Sequence, residues 1–212
     1  MADTKISALP AVSAVADANE VPINEAGTSK KFSITQLKAF LAENLFGVVD
    51  GNQQINATTA LVNGCKIAVP TGKLRVGTRF KWRIAVDKTA AGTTTGCTFD
   101  IKVGTAGTTA DTTIATPITL GTPTAVADQA WLEIDAVVRS IGATCTIEWA
   151  ARFMHDSNGA TGFDNQANPR IKSGTATTFD STVAGLFVEL SITTTTGSVW
   201  TVRAGGVEVF NL

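Results

Sequence analysis

Tyrosine is missing from the 212 residues, and only one histidine, two methionines and three cysteines are present. Cys65, Cys97 and Cys145 are too few and too scattered for a disulfide framework, and they lack the paired spacing of a zinc site. Cys97 and Cys145 fall at inward positions of expected strands and read as buried free thiols. Charge is also scarce, at 17% of residues against roughly 25% in ordinary soluble domains. It is balanced too: 17 Lys and Arg face 18 Asp and Glu, for a net charge of -1. No basic stripe stands ready to neutralise phosphates, so a nucleic-acid partner is not expected. No window approaches the roughly 18 consecutive apolar residues of a membrane helix, and residues 1–5 are not followed by the apolar core of a secretory signal. The expectation is a chain made in a reducing cytoplasm, with no membrane insertion.

What takes the place of charge is 33 threonines and 19 glycines, a composition that leans towards strands and turns. From residue 59 onwards the hydrophobic period is two. Phe80, Trp82, Ile84 and Val86 alternate with Lys81, Arg83, Ala85 and Asp87, the pattern of a half-buried antiparallel strand. Runs at 97–103, 131–139, 145–153 and 186–192 behave alike, with shorter candidates at 60–69 and 112–120. Trp200, Val202 and Ala204 with Val207 and Val209 read as a closing pair of strands around Gly205-Gly206. Thr71-Gly72-Lys73 after Pro70 reads as a turn. Eight or nine strands, no helical pattern and no internal repeat predict a mainly β chain, an antiparallel β-sandwich of jelly-roll type over residues 59–212. Phe80, Trp82, Phe99, Leu132, Ile134, Ile147, Trp149 and Leu190 share a phase and are expected to be buried together.

Residues 1–45 are different. Residues 20–24 around Pro22 read as a short edge strand, because proline cannot donate to a ladder, and 28–32 as its return. Ser33-Ile34-Thr35-Gln36 fits a capping box, and Leu37, Phe40, Leu41 and Leu45 line one face of a short helix that stops at Gly47. So few large apolar groups cannot form a core alone, so this segment must dock on something. Residues 46–58 are polar and turn-rich and read as a linker.

Chemistry-bearing groups are sparse. Glu133 and Asp135 share one strand face about 7 Å apart, a spacing compatible with a glycosidase pair, but they fall on the outward phase beside Arg139, where charge keeps a sheet soluble. His155-Asp156 is the one place where imidazole adjoins carboxylate, and it reads as a loop that closes a strand. The nucleotide motifs GxxxxGK[ST] and GxGxxG are absent, as is GxSxG. No catalytic residue, metal or cofactor is expected. The remaining clue is aromatic: Trp131, Phe187 and Trp200 fall opposite the core phase, as a subunit interface would require, or a sugar-binding face.

The opening run Lys5-Ile6-Ser7-Ala8-Leu9-Pro10 continues through Val15-Ala16-Asp17, Val21-Pro22-Ile23, Gly27-Thr28-Ser29-Lys30-Lys31 and Thr35-Gln36-Leu37. It resembles the N-terminal segment of structural proteins of tailed bacteriophages, especially fibres and other virion appendages. The resemblance covers roughly the first 42 residues. It implies an attachment module in which Ile6, Leu9, Val21, Ile23, Phe32, Leu37, Phe40 and Leu41 dock on other virion proteins of the head or tail. It also implies a homotrimer located in the virion and synthesised in the bacterial host cytoplasm. Ile67-Ala68-Val69-Pro70 and Leu74-Arg75-Val76-Gly77-Thr78 are similar in style to the β-sandwich domains that phage appendages carry. No heptads or β-spiral period mark a fibre shaft, so the expectation is a non-enzymatic short fibre or decoration protein. A host-glycan-binding tail-fibre module is the alternative reading, and a polysaccharide depolymerase the remotest one.

Overall fold

The structure, a computed structural model, describes residues 20–25, 28–33, 52–89, 97–121, 124–156, 162–163, 169–195 and 199–212. The chain divides into two units, Met1–Glu43 and Asn44–Leu212. In the first, β1 (Glu20–Glu25) and β2 (Thr28–Ser33) pair as an antiparallel hairpin. Pro22 stands opposite Lys31, in a strand with only one neighbour, where its missing N–H is tolerated. The register sets Val21 opposite Phe32 and Ile23 opposite Lys30, so the three apolar residues share one phase of the ladder. The helix expected after Ser33, and with it Leu37, Phe40 and Leu41, lies outside the described residues, as do Ile6 and Leu9.

The second unit contains β3 (Gln53–Ile55), β4 (Thr59–Ala68), β5 (Arg79–Lys88), β6 (Cys97–Gly104) and β7 (Thr112–Leu120). It continues with β8 (Asp128–Ser140), β9 (Thr146–His155), β10 (Arg170–Thr175), β11 (Phe187–Thr194) and β12 (Trp200–Phe210). Among the described residues there is no helix. Six strands form one sheet in the order β10-β9-β8-β5-β12-β3, and four form a second in the order β4-β11-β6-β7. All pairings are antiparallel. The two sheets share a single core, consistent with a β-sandwich. Phe99 of β6 reaches Phe153 of β9 with ring centroids 6.3 Å apart, a direct contact between the sheets.

The period-two strands fall where the alternation places them. Phe80, Trp82, Phe99, Leu132, Ile134, Ile147 and Leu190 are buried without remainder, and Trp149, at the side of the core, is half-buried against Gly174 of β10. The turn after Pro70 is also present, with Lys73 N–H donating to the Pro70 carbonyl at 3.0 Å and Gly72 at φ +70°. Cys65, Cys97 and Cys145 are buried free thiols; burial pushes Cys65 up to about 12 and Cys145 to about 11, so neither is a thiolate at neutral pH.

Three local expectations are corrected. Residues 200–210 form one strand, not a pair around Gly205-Gly206. Between Val202 and Ala204 the register with β5 shifts, and this bulge moves the buried positions from Trp200 and Val202 to Val207 and Val209. Gln53–Ile55, within the stretch read as linker, pair with β12, and Ile55 is fully buried. Three residues are too short a run to show a period. His155 is the last residue of β9, not of a loop, and it is buried.

The contact between sheets generates a prediction. Phe153 meets Phe99, His155 and Phe163, at 5.6–6.3 Å between ring centroids. Phe153→Ala should lower unfolding free energy by about 3–5 kcal/mol, read as a shift in urea midpoint at unchanged slope.

Candidate functional site

The outward face of the six-stranded sheet carries rows of charged side chains set by the register. Lys81 of β5 meets Glu133 of β8 at 2.6 Å, Arg83 approaches the same carboxylate at 3.4 Å, and Arg79 meets Asp135 at 2.8 Å. Arg139 pairs with Glu148 at 2.8 Å, and Arg203 of β12 with Asp87 of β5. The Lys81 hydrogen bond, helped by the Lys81 and Arg83 charges, holds Glu133 below the usual carboxylate range. The Glu133–Asp135 pair is therefore tied into ion pairs with cations of the neighbouring strand.

Trp131 interrupts this charged surface. It stands in mid-strand on β8, opposite Ala85 on one side and Met154 on the other, and 38% of its surface is open to solvent. Ala85 is too short to reach the height of the indole, so a hollow of about 370 Å³ opens beside the ring. Met154, Ala130 and His155 also line it, and its polar rim is Asp87, Gln129 and Asp156, with the Asp156 N–H donating to the Gln129 carbonyl at 2.8 Å. A second hollow of about 480 Å³ shares those three residues and extends to Thr201 and Arg203.

The other two out-of-phase aromatics are placed differently. Phe187 is half-buried under its own chain: its ring lies under the loop at Gly107, and the Lys66 ammonium sits 5.2 Å from the ring centroid. Trp200 is fully buried, with its ring 4.7 Å from that of Phe163, because the bulge in β12 puts it on the core phase. Of the three, Trp131 alone is an exposed aromatic.

Two buried polar clusters were beyond sequence reading. At one end of the six-stranded sheet, Asp128 accepts from Gln129 N–H at 2.9 Å and Phe163 N–H at 3.0 Å, and lies 2.8 Å from His155 Nδ1. Facing it, Lys88 donates to the carbonyls of Thr89, Thr124 and Val126 at 2.7–3.1 Å. Burial draws the Lys88 ammonium below its usual range, and Asp128 partly offsets this. A Cβ at Gly162 would run into the Asp128 carboxylate, and Gly162 sits at φ +83°, so glycine is required on both counts. The cluster clamps residues 162–163 onto the core. His155 and Asp128 lie 27 residues apart, and no local pattern joins them.

On the outer face of the four-stranded sheet, Glu189 lies between Lys66 and Lys102 in the register, yet is fully buried. Lys66 donates instead to the Gly107 carbonyl at 3.1 Å and Lys102 to the Asp111 carbonyl at 2.9 Å. The Asp111 carboxylate accepts from Ala106 N–H at 3.1 Å and Gly107 N–H at 2.7 Å, holding the loop that covers the site. Neither Glu189 oxygen accepts from an N–H, and the side chain that faces it closely is the Asp111 carboxylate. Burial first, then the Asp111 charge, push Glu189 up to about 7, against the pull of Lys66 and Lys102.

No known family matches the chain, and no curated protein matches it. Among solved structures it is similar to a legume lectin-like domain from Entamoeba histolytica, with 8% sequence identity and a TM-score of 0.28. That likeness covers 94% of this chain and 100% of the other.

The Glu189 site predicts a pH dependence. With a folded value near 7 against 4.5 for a free carboxyl, the native state holds the proton more tightly than the unfolded chain. The associated stability is fully present below about pH 4.5 and is lost as pH rises through about 7. Glu189→Gln, which keeps shape without the charge, should flatten this slope. Allowing for partial solvent screening, it should add on the order of 1–2 kcal/mol at about pH 8, measured by urea unfolding across the range.

Proposed function

We propose that this chain is a non-enzymatic appendage protein of a tailed-bacteriophage virion, a short fibre or decoration protein. Its N-terminal unit attaches to the particle, and its second unit is a jelly roll displayed outward. The observation that carries the reading is the strand order. Setting aside the β9–β10 hairpin at one edge, the remaining eight strands run first-eighth-third-sixth in one sheet and second-seventh-fourth-fifth in the other. The antiparallel pairs β3–β12, β4–β11, β5–β8 and β6–β7 are those of one long ribbon rolled on itself. Viral capsid domains use this wrapping, as do lectins and cupins, so the support is by analogy of fold.

The N-terminal unit supplies the second support. A lone two-stranded hairpin is marginal in water and gains stability by docking, and Val21, Ile23 and Phe32 share the phase that would do so. The ion pairs that hold Glu133 and Asp135 favour a role without catalysis. A glycosidase needs one carboxyl with a raised pKa, and Glu133 is shifted the other way. The homotrimer implied by the resemblance draws no support from Phe187 or Trp200, which are covered by their own chain. Joint attachment of several N-terminal units is its remaining physical rationale, since weak docking is multiplied when sites are linked.

Deleting residues 1–45 should leave a soluble β unit that no longer enters particles, scored by immunoblot of purified virions. Replacing Leu37 and Phe40 by Asp in the full chain should do the same. Normal occupancy of either variant would overturn the attachment role. Light scattering of the full chain should give three chain masses; a stable monomer at micromolar concentration would contradict the trimer.

A further inference from the structure

We propose that Trp131 and the hollow beside it form a binding site for a neutral saccharide, with one pyranose ring stacked on the indole. Three observations lead there, and none depends on the virion reading. First, the ring is presented on a rigid strand in mid-sheet, flanked by the short Ala85, so a flat ligand can lie against it without any rearrangement of the backbone. The hollow of about 370 Å³ is of the size that holds a small ligand.

Second, the rim is polar in the way hydroxyl groups require. Asp87 and Asp156 offer carboxylate acceptors, and Gln129 offers both a donor and an acceptor. Among the described residues no Lys or Arg lines the hollow, and Arg203, at the adjoining one, is paired with Asp87, so the rim favours a neutral sugar over an anionic one. Third, the surroundings are wrong for a second copy of this chain. Cores of subunit interfaces are depleted in charge, whereas the Arg203–Asp87 and Arg83–Glu133 pairs flank Trp131 on the same face. A single open platform of this kind binds weakly, and repetition in an oligomer would raise the avidity.

The test uses saturation-transfer NMR on the full chain, with methyl glycosides of glucose, galactose, mannose and N-acetylglucosamine, and N-acetylneuraminic acid as the acidic comparison. Saturation should reach the ring C–H protons of at least one neutral glycoside. Trp131→Ala should weaken that binding by roughly tenfold or more, Trp131→Phe should retain part of it, and Phe210→Ala, at an exposed ring elsewhere, should leave it unchanged. Because Trp131 is exposed, the urea midpoint of Trp131→Ala should stay close to that of the parent chain. The proposal is overturned if no neutral glycoside is saturated, if binding survives Trp131→Ala, or if N-acetylneuraminic acid is preferred. It is equally overturned if the substitution abolishes self-association instead of binding.

Discussion

A line of aromatic rings holds the β unit together. Phe99 of the four-stranded sheet touches Phe153 of the six-stranded sheet, Phe153 meets Phe163 edge to face at 5.6 Å, and Phe163 leans on Trp200 at 4.7 Å. Rings of this size bury large areas, and pairs in these geometries add to simple burial. The line joins both sheets and the segment around Phe163, and the Asp128 carboxylate fixes that segment by accepting its backbone N–H. With cohesion concentrated inside, the outward faces are free to carry charge and threonine. This also explains how a chain so poor in charge can be built: 17 cations and 18 anions are enough when many of them pair across neighbouring strands.

The two outward faces have been used differently. On the four-stranded sheet a loop folds back, anchored by Asp111, Lys66 and Lys102, and buries Glu189. Burying a charged carboxylate beside Asp111 is unfavourable, and the chain meets this by holding the proton on Glu189 near neutral pH. On the six-stranded sheet nothing folds back over Trp131 among the described residues, and the indole stays open within a field of ion pairs. Among the described residues, one face is closed by its own chain and the other stays open.

Much of the fold was legible because strands with one wet face announce themselves by alternation. β5 and β8 read correctly residue by residue, from Phe80 to Val86 and from Trp131 to Arg139. β10, with the sequence RIKSGT, did not, because an edge strand carrying Arg170, Lys172 and Gly174 on one phase shows no apolar rhythm. Trp200 reads on the wrong phase for a different reason: a bulge of one residue reverses the phase, and nothing local to Val202-Arg203-Ala204 signals it. Glu189 in the run Val188-Glu189-Leu190 reads as an outward, solvated charge, and only the loop from a distant part of the chain makes it buried. Trp131 is legible as an exposed aromatic, but the hollow beside it depends on Ala85 of the neighbouring β5 and on Asp156, just past the end of β9.

The proposed virion role has one unit attached to the particle and the other displayed on it. Electron microscopy of purified virions labelled with an antibody to residues 59–212 tests that role without altering the protein. Label is expected at a fixed position on intact particles, with density for the β unit projecting from the surface. Label confined to the soluble fraction of the lysate, with particles bare, would contradict it.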